Sequence, residues 1–288
     1  MRSRGIPALF ASVLLAATAA AQAPVTIKLK KDEVGDKTRQ VVDEETTTAT
    51  AIDANGQKQN KVEKKTAKYV FVEEVLAKPA GAKKPTKLSR AYATAEATTD
   101  GAKKTLSFQG KTVVIEKKGT RFEFTVDGKP LPEDDAKTFA QEFGKGDGPD
   151  DEDLLPTKPV SAGMTWTPNL EKLVPLMAKE MPFDLAKTGN TAAGKFHKAY
   201  PKDGMTFGEF ELSFSLKPTA VKDGENVVNL KPGSTLGLVM KLDGCIDGTV
   251  HTGTMHNTMT ANLDCDIPMA SLKLQIEGKQ SHTITPVK

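Results

Sequence analysis

Two histidines and two methionines are the side chains whose chemistry stands out first. His251, Met255, His256 and Met259 lie close together in the sequence, and imidazoles with thioethers are ligands that copper sites use. On an extended strand, however, residues 251, 255 and 259 share a face while His256 points the other way. A Thr-rich strand with Met255 and Met259 inside explains the same pattern. The sequence therefore predicts no cofactor and leaves these four residues as candidate ligands.

An acidic run at residues 147–153 offers carboxylate oxygens, which are the ligands that calcium prefers. The run lacks EF-hand spacing, and Pro149 at its third position would distort such a loop. Its composition is more typical of a solvated linker.

The two cysteines, Cys245 and Cys265, predict a disulfide, because an even number of cysteines in an exported chain favours pairing. Both are equally distant in sequence from Met255, so a hairpin that turns at 253–257 would place them opposite each other. The alternative is a turn at Asp243-Gly244 or Asp247-Gly248, which would leave both thiols free.

Motifs of common enzymes are absent from the sequence. It contains no G-x-S-x-G elbow, no H-E-x-x-H pair, no P-loop and no G-x-G-x-x-G. Basic residues are almost all lysines interspersed with acids, whereas proteins that read nucleic acids favour arginine. We therefore expect no catalytic residues and no nucleic-acid partner.

The start of the chain predicts a cleavable signal peptide over residues 1–21. Arg2 and Arg4 precede an apolar stretch at 6–17, and three alanines at 19–21 provide a cleavage site before Gln22. No later stretch approaches the roughly 18 apolar residues of a spanning helix. The expected location is periplasmic or extracellular, with no transmembrane segment after cleavage.

Alternating apolar residues predict strands along most of the chain. A strand is expected at 24–35, and Asn55-Gly56 between two Thr/Val-rich runs predicts a hairpin. Helical spacing appears only at 132–143 and 169–187, where Thr167-Pro168 resembles a helix start.

These patterns divide the chain into a β-rich part at 22–130, a helical and acidic segment at 131–190 and a β-rich part at 191–288. Residues 22–288 could equally form one domain. The predicted fold is mainly β (all-β or α+β). We expect a curved antiparallel sheet or half-barrel, with one or two central helices packed on it.

The segment Pro159-Val160-x-x-Gly163-x-x-Trp166 resembles a motif of uncharacterised exported bacterial β-rich proteins. The resemblance covers residues 159–166 and the general layout, and it implies no activity. The layout also resembles that of half-barrel lipoprotein carriers of the periplasm.

The only tryptophan, Trp166, has two interpretations. Together with Met164 and Phe183 it could line an apolar groove, or it could be an anchor in the core where sheet meets helix.

The sequence thus favours a non-catalytic extracytoplasmic binding or structural protein with an apolar groove, whose partner is a lipid-like molecule or an envelope protein. The alternative is a hydrolase or metal-dependent enzyme whose site is assembled from residues distant in sequence.

Overall fold

A computed structural model describes residues 23–143, 151–223 and 226–287. The predicted signal peptide at 1–21 and most of the acidic run, residues 147–150, lie outside the described residues. The described chain is mainly β with helices packed on a large antiparallel sheet, which confirms the predicted fold class. The division into three parts or one domain stays a prediction.

Strands precede and follow a central group of helices along the described chain. In chain order the elements are β1 (Lys37–Ala54), β2 (Gln57–Ala77), β3 (Lys87–Thr99), β4 (Ala102–Thr105), β5 (Thr112–Lys118), β6 (Arg121–Val126), β7 (Lys129–Pro130), α1 (Glu133–Phe143), α2 (Asp151–Leu154), β8 (Thr165–Trp166), α3 (Leu170–Glu180), β9 (Phe183–Leu185), β10 (Thr191–Lys202), β11 (Met205–Leu216), β12 (Pro218–Asp223), β13 (Asn226–Asn229), β14 (Thr235–Cys245), β15 (Gly253–Ile267) and β16 (Ala270–Pro286).

The large sheet joins the first strand of the chain to the last. Its order is β7-β6-β5-β3-β2-β1-β16-β15-β14-β11-β10-β8, with β4 paired to β3, so it begins and ends on short strands and is open. The strands β13, β12 and β9 form a second, smaller sheet, in that order. The other pairings of the large sheet join strands near in sequence, whereas the β1–β16 pairing brings residues near 40 beside residues near 280.

The predicted hairpin between β1 and β2 is confirmed. Asn55 and Gly56 have φ angles of 54° and 80°, the left-handed values that a type I′ turn needs at both central positions. The turn matches the twist of the two strands, which stay paired from Ala54 and Gln57 to Lys37 and Glu74. A turn of this kind fixes which residues of β1 and β2 face the same side.

One face of the large sheet carries both α1 and α3, and we call it the inner face. Phe71 packs with α1 residue Phe139 in one hydrophobic cluster, while Leu212 packs with α3 residue Leu173 in another. Register places Phe71 and Leu212 on the same side of the sheet, because paired positions lead without a break from β2 to β11. The helices thus cover different parts of a single face.

The N-terminal cluster lies beneath α1 and is rich in aromatic rings. Its buried members are Val42, Phe71, Val75, Leu88, Tyr92, Ala95, Leu106, Phe108, Val113, Ile115, Phe124, Leu131 and Phe139. The Tyr92, Phe108 and Phe139 rings meet pairwise with centroids 4.8–6.1 Å apart and steep interplanar angles, the edge-to-face geometry that aromatic quadrupoles favour.

The C-terminal cluster lies beneath α3. Its buried members are Ile27, Val160, Leu173, Phe183, Phe196, Ala199, Phe210, Leu212, Phe214, Leu216, Leu236, Ile246, Ala261 and Leu263. Helix α3 starts later than the sequence suggested: Asn169, not Thr167, is the N-cap, and its side chain accepts a hydrogen bond from the Lys172 amide. Pro175 lies inside the helix and neither ends nor delimits it.

Residues 23–36 form a strap across the edge of the inner face rather than the regular strand expected there. Val25 exchanges backbone hydrogen bonds with Val160, and the Lys28 amide donates to the Ile246 carbonyl. Ile27 is buried in the C-terminal cluster. The alternation of apolar residues therefore produces burial on one side. The strap forms no regular ladder among the described residues: it has isolated bridges, and near its end the Gly35 amide donates to Val75 and the Val75 amide donates to Asp36.

The predicted disulfide is wrong: Cys245 and Cys265 are both free and buried. The hairpin turns at the Asp247-Gly248 alternative, and Gly244 pairs with Gly253. Cys245 therefore lies at the turn, while residues 253 to 265 of β15 carry Cys265 about 40 Å away at about 3.3 Å per residue. The Asp247 carboxylate stabilises this turn by accepting hydrogen bonds from the amides of Thr206 (2.7 Å) and Thr249 (3.0 Å).

Candidate functional site

The inner face becomes polar where β3, β2, β1 and β16 lie side by side. Gln40 on β1 is buried although its neighbours in register are Phe71 and Ile284. Two positions along, Val42 lies opposite His282. Gln40 and His282 lie between the two hydrophobic clusters, and we call this region the central cleft.

Arg90 on β3 connects the sheet to helix α1. Its Nε donates to Glu73 at 2.7 Å, and Nη1 and Nη2 donate to the two oxygens of Glu142 at 2.8 and 2.6 Å. The guanidinium also lies over the rings of Phe71 (4.6 Å) and Phe143 (4.9 Å). Bidentate pairing of this kind fixes orientation as well as charge.

The Arg90 side chain is only 9% exposed, so its charge depends on these partners. Burial by itself opposes the charged form, but the carboxylates of Glu142 and Glu73 outweigh that effect and raise the pKa of Arg90 well above its ordinary value. Arg90 therefore serves as a fixed structural cation, and each of its three nitrogens donates to a carboxylate.

Gln40 extends the network from Arg90 toward β16. Its Nε2 donates to Glu73 at 3.1 Å, and its Oε1 lies 2.8 Å from Nε2 of His282. Because an amide oxygen only accepts, Nε2 of His282 must carry the proton. Burial, followed by the charge of Arg90, lowers the pKa of His282 below its ordinary value, so the ring favours its neutral form.

Three cavities adjoin along the central cleft, and His282 lines all of them. The first, about 380 Å³, lies between α1 and the central strands; the second, about 260 Å³, lies between Arg90 and the strap residues Asp32 and Asp36. The third, about 270 Å³, continues under the strap to Leu242. Because they share lining residues, the three cavities lie side by side from α1 to β14.

Half-buried apolar side chains border the cleft on the side of the C-terminal cluster. They lie in register on the inner face of β14, β15 and β16, beyond the fully buried core, and comprise Leu238, Met240, Leu242, Met255, Met259, Leu274 and Ile276. A binding surface that combines such an apolar area with a few placed polar groups is typical of small-molecule sites.

The four candidate metal ligands do not meet at one point. His256 is exposed on the outer face, whereas Met255 and Met259 lie on the inner face. His251 contacts the strap, with Nε2 3.3 Å from Asp32 and 3.6 Å from Asp36. In the part of the chain that the structure describes, no group of three or more His, Cys, Asp or Glu residues is arranged to hold a metal ion.

The residues proposed for a groove near Trp166 occupy three different settings. Trp166 is half-buried against Gly194, where an added Cβ would lie 2.1 Å from the ring, and its Nε1 donates to the Leu154 carbonyl at 2.9 Å. Phe183 is fully inside the C-terminal cluster. Met164 is 45% exposed at a turn. None of the three lines the central cleft.

Arg90 is one of the central-cleft residues that the sequence interpretation missed, together with Gln40, Glu73 and His282. A usable signal was present, because Leu88, Arg90 and Tyr92 alternate on β3 and must share its buried face. An arginine between two core positions predicts a buried ion pair. Its partners, however, come from β2 and α1, and no local pattern identifies them.

Comparisons with known proteins identify no relative by sequence. No family model and no curated protein matches the chain. Among solved structures it is similar to a chain from "lipid-protein interactions in lipovitellin", with 8% identity, a TM-score of 0.41, and coverage of 89% of this chain and 26% of that one. This chain therefore spans about a quarter of that protein.

An outer membrane channel from Pseudomonas putida F1 is also similar, with 9% identity, a TM-score of 0.19, and coverage of 89% of this chain and 97% of that one. Both TM-scores are low, and neither similarity establishes a shared fold. No helix among the described residues is long and apolar enough to cross a membrane.

Proposed function

We propose that the protein is an exported, non-catalytic binding protein that holds the hydrocarbon chain of a lipid-like molecule on the inner face of its sheet. The observation that carries this proposal is the set of half-buried apolar side chains beside the central cleft. Export rests on the predicted signal peptide. The apolar groove expected from the sequence is thereby assigned to β14–β16 rather than to the surroundings of Trp166.

The apolar area has the properties of a surface that gains from being covered. Each methylene group removed from water contributes about 0.8 kcal/mol, so a chain lying along several of these residues gains appreciable free energy. Three members of the set, Met240, Met255 and Met259, have unbranched, polarisable side chains that adapt to ligands of irregular shape. The apolar set thus favours hydrocarbon without demanding one fixed shape.

The ligand should also be amphipathic, because the inner face changes from apolar to polar and charged along a single row of paired residues. Met240, Asn257, Gln280 and Glu44 lie opposite one another on β14, β15, β16 and β1. Three strand spacings of about 4.8 Å separate the first from the last, so the thioether of Met240 and the carboxylate of Glu44 are about 15 Å apart. A molecule with one apolar and one polar end fits this row.

The test is binding of a fluorescent acyl-chain probe to the purified mature protein, with Met240→Lys as the disrupting variant. We expect saturable binding by the unmodified protein and a loss of about tenfold or more in the variant, since a charge in an apolar contact is costly to desolvate. The natural ligand, extracted and weighed by mass spectrometry, should carry an intact chain.

Val239→Lys is the matched control, because Val239 is half-buried on the same strand but lies on the outer face. It should bind the probe as the unmodified protein does. Equal binding by both variants would place the probe elsewhere, and conversion of a bound ester to acid and alcohol would contradict the non-catalytic role.

A further inference from the structure

The cavity between α1 and the central strands combines aromatic rings with polar and charged side chains. It has a volume of about 380 Å³, and its lining includes the rings of Tyr69, Phe71, Tyr92, Phe108 and Phe139. The faces of such rings are electronegative, and they attract cations that approach within about 6 Å of the ring centre. One ring, that of Phe71, already lies against the guanidinium of Arg90.

Carboxylates outnumber cations around this cavity. Glu44 and Glu142 line it, and Glu73 stands behind Arg90, so three carboxylates face one guanidinium. The charge of Arg90 is paired with the carboxylates of Glu73 and Glu142, which leaves the charge of Glu44 uncompensated. Within the described residues, Glu44 accepts a hydrogen bond from the Gln280 amide at 2.7 Å and forms no ion pair.

The pKa of Tyr69 agrees with a negative charge at Glu44. Burial, followed by the negative charge of Glu44, raises the pKa of Tyr69 to about 12. The phenol therefore remains neutral at physiological pH and presents an aromatic face and a hydroxyl beside the carboxylate. An anionic group entering here would meet the like charge of Glu44, while Arg90 in the cavity lining is already paired with two carboxylates.

We propose that this aromatic-walled, carboxylate-bearing cavity binds an organic ammonium group, the cationic head group of the amphipathic ligand. The assignment rests on the proposed function for the hydrocarbon part alone. An alkylated ammonium is weakly hydrated and keeps its charge, so the aromatic faces and Glu44 can replace its water shell. A carboxylate or phosphate head group would add a further negative charge beside Glu44 and Glu142, while the charge of Arg90 is already paired with two carboxylates.

The residues between this cavity and the apolar side chains are paired in register on β1, β16 and β15. The Gln280 amide donates to Glu44, and the Asn257 amide donates to Gln280 at 2.8 Å, so the residues between the two regions form one ordered chain of hydrogen bonds. Met240 follows Asn257 in register. An ammonium group beside Glu44 would therefore leave its hydrocarbon chain directed across β16 and β15 toward β14.

The experiment is calorimetric titration of the mature protein with three molecules that share one acyl chain and differ in head group: palmitoylcholine, monopalmitoylglycerol and palmitate. We expect palmitoylcholine to bind about tenfold more tightly than the other two, the preference that one desolvated cation–aromatic and carboxylate contact supplies. Glu44→Gln should remove this preference, with monopalmitoylglycerol unaffected, because the substituted amide can still accept from Gln280.

Glu45→Gln is the matched control, since Glu45 is the next residue on β1, faces the outer side and pairs with Lys64 at 3.0 Å. It should leave all three affinities unchanged. Equal binding of palmitoylcholine and monopalmitoylglycerol, or a preference that survives Glu44→Gln, would overturn the head-group site while leaving the hydrocarbon proposal standing. Binding of choline alone, sensitive to Glu44→Gln, with no gain from any acyl chain, would support the cavity and overturn the hydrocarbon proposal.

Discussion

The two hydrophobic clusters of the inner face hold their helices in different ways. Helix α1 packs aromatic rings on the N-terminal cluster and is also bound to β3 through Arg90 and Glu142. Helix α3 packs on the C-terminal cluster through aliphatic side chains around Leu173. Its ion pair, Lys172 with Asp153, joins it to α2 rather than to the sheet.

The two modes of attachment suit different parts of the proposed ligand. A directional ion pair and interlocked rings fix the position of α1, so the cavity beneath it keeps its shape and its charge. Aliphatic and thioether contacts are non-directional and tolerate rearrangement, so the surface beside the C-terminal cluster can adapt. A rigid polar end and an adaptable apolar end together suit an amphipathic molecule.

The largest expected effect on this comparison comes from Arg90→Ala. The change removes the ion pair between α1 and the sheet and leaves Glu73, whose side chain is 18% exposed, without its charge partner. Loss of one member of a buried pair costs about 3–5 kcal/mol. Urea unfolding should show a loss of that size in the free energy of unfolding.

Lys137→Ala provides the comparison for Arg90. Lys137 lies on the same helix and pairs with Glu133 at 3.1 Å, but its side chain is 62% exposed. Exposed pairs contribute about 0–1 kcal/mol, so this variant should unfold almost as the original does. Similar small losses for both variants would mean that aromatic packing alone holds α1.

A somewhat smaller effect is expected from Leu173→Ala on the other helix. Leu173 is fully buried, and its truncation loses transfer free energy and leaves a cavity, at a cost of about 2–4 kcal/mol. Glu171→Ala, on the exposed side of α3, should be nearly silent. A melt in which both variants behave alike would show that α3 contributes little to the C-terminal cluster.

Local patterns predicted those parts of the fold that depend on neighbouring residues. Asn55-Gly56 specifies its turn because both residues accept positive φ, and alternation then assigns the faces of β1 and β2. The equal distance of Cys245 and Cys265 from Met255 predicted the wrong hairpin, although Asp247-Gly248 is also a turn signal in the sequence. What decides between them is the hydrogen bond from the Thr206 amide to Asp247, because Thr206 lies on a different strand.

The central cleft could not be predicted in the same way. Gln40, Glu73, Arg90 and His282 come from four strands, and the pairing of β1 with β16 unites the two ends of the chain. A pattern of a few neighbouring residues contains no information on that pairing, because the two strands are more than 200 residues apart in the sequence. The sequence interpretation therefore named residues around Trp166 for an apolar groove and none of the residues of the central cleft.

The smallest predicted effect concerns the pH dependence of stability and His282, which lies between the two clusters. Its pKa is below the ordinary 6.5 in the folded protein, chiefly through burial and secondly through Arg90, so the unfolded chain binds a proton more readily. Stability should therefore fall as the pH drops below about 6.5, because protonation favours the unfolded state. His282→Gln keeps a donor for Gln40 and should make this fall shallower in urea titrations between pH 7 and pH 5.

His256→Gln, an exposed change on the outer face, should leave the slope as it is. If His282→Gln also left the slope unchanged, the ring would be accessible to water in the folded protein, and the central cleft would be open rather than lined by a desolvated polar network.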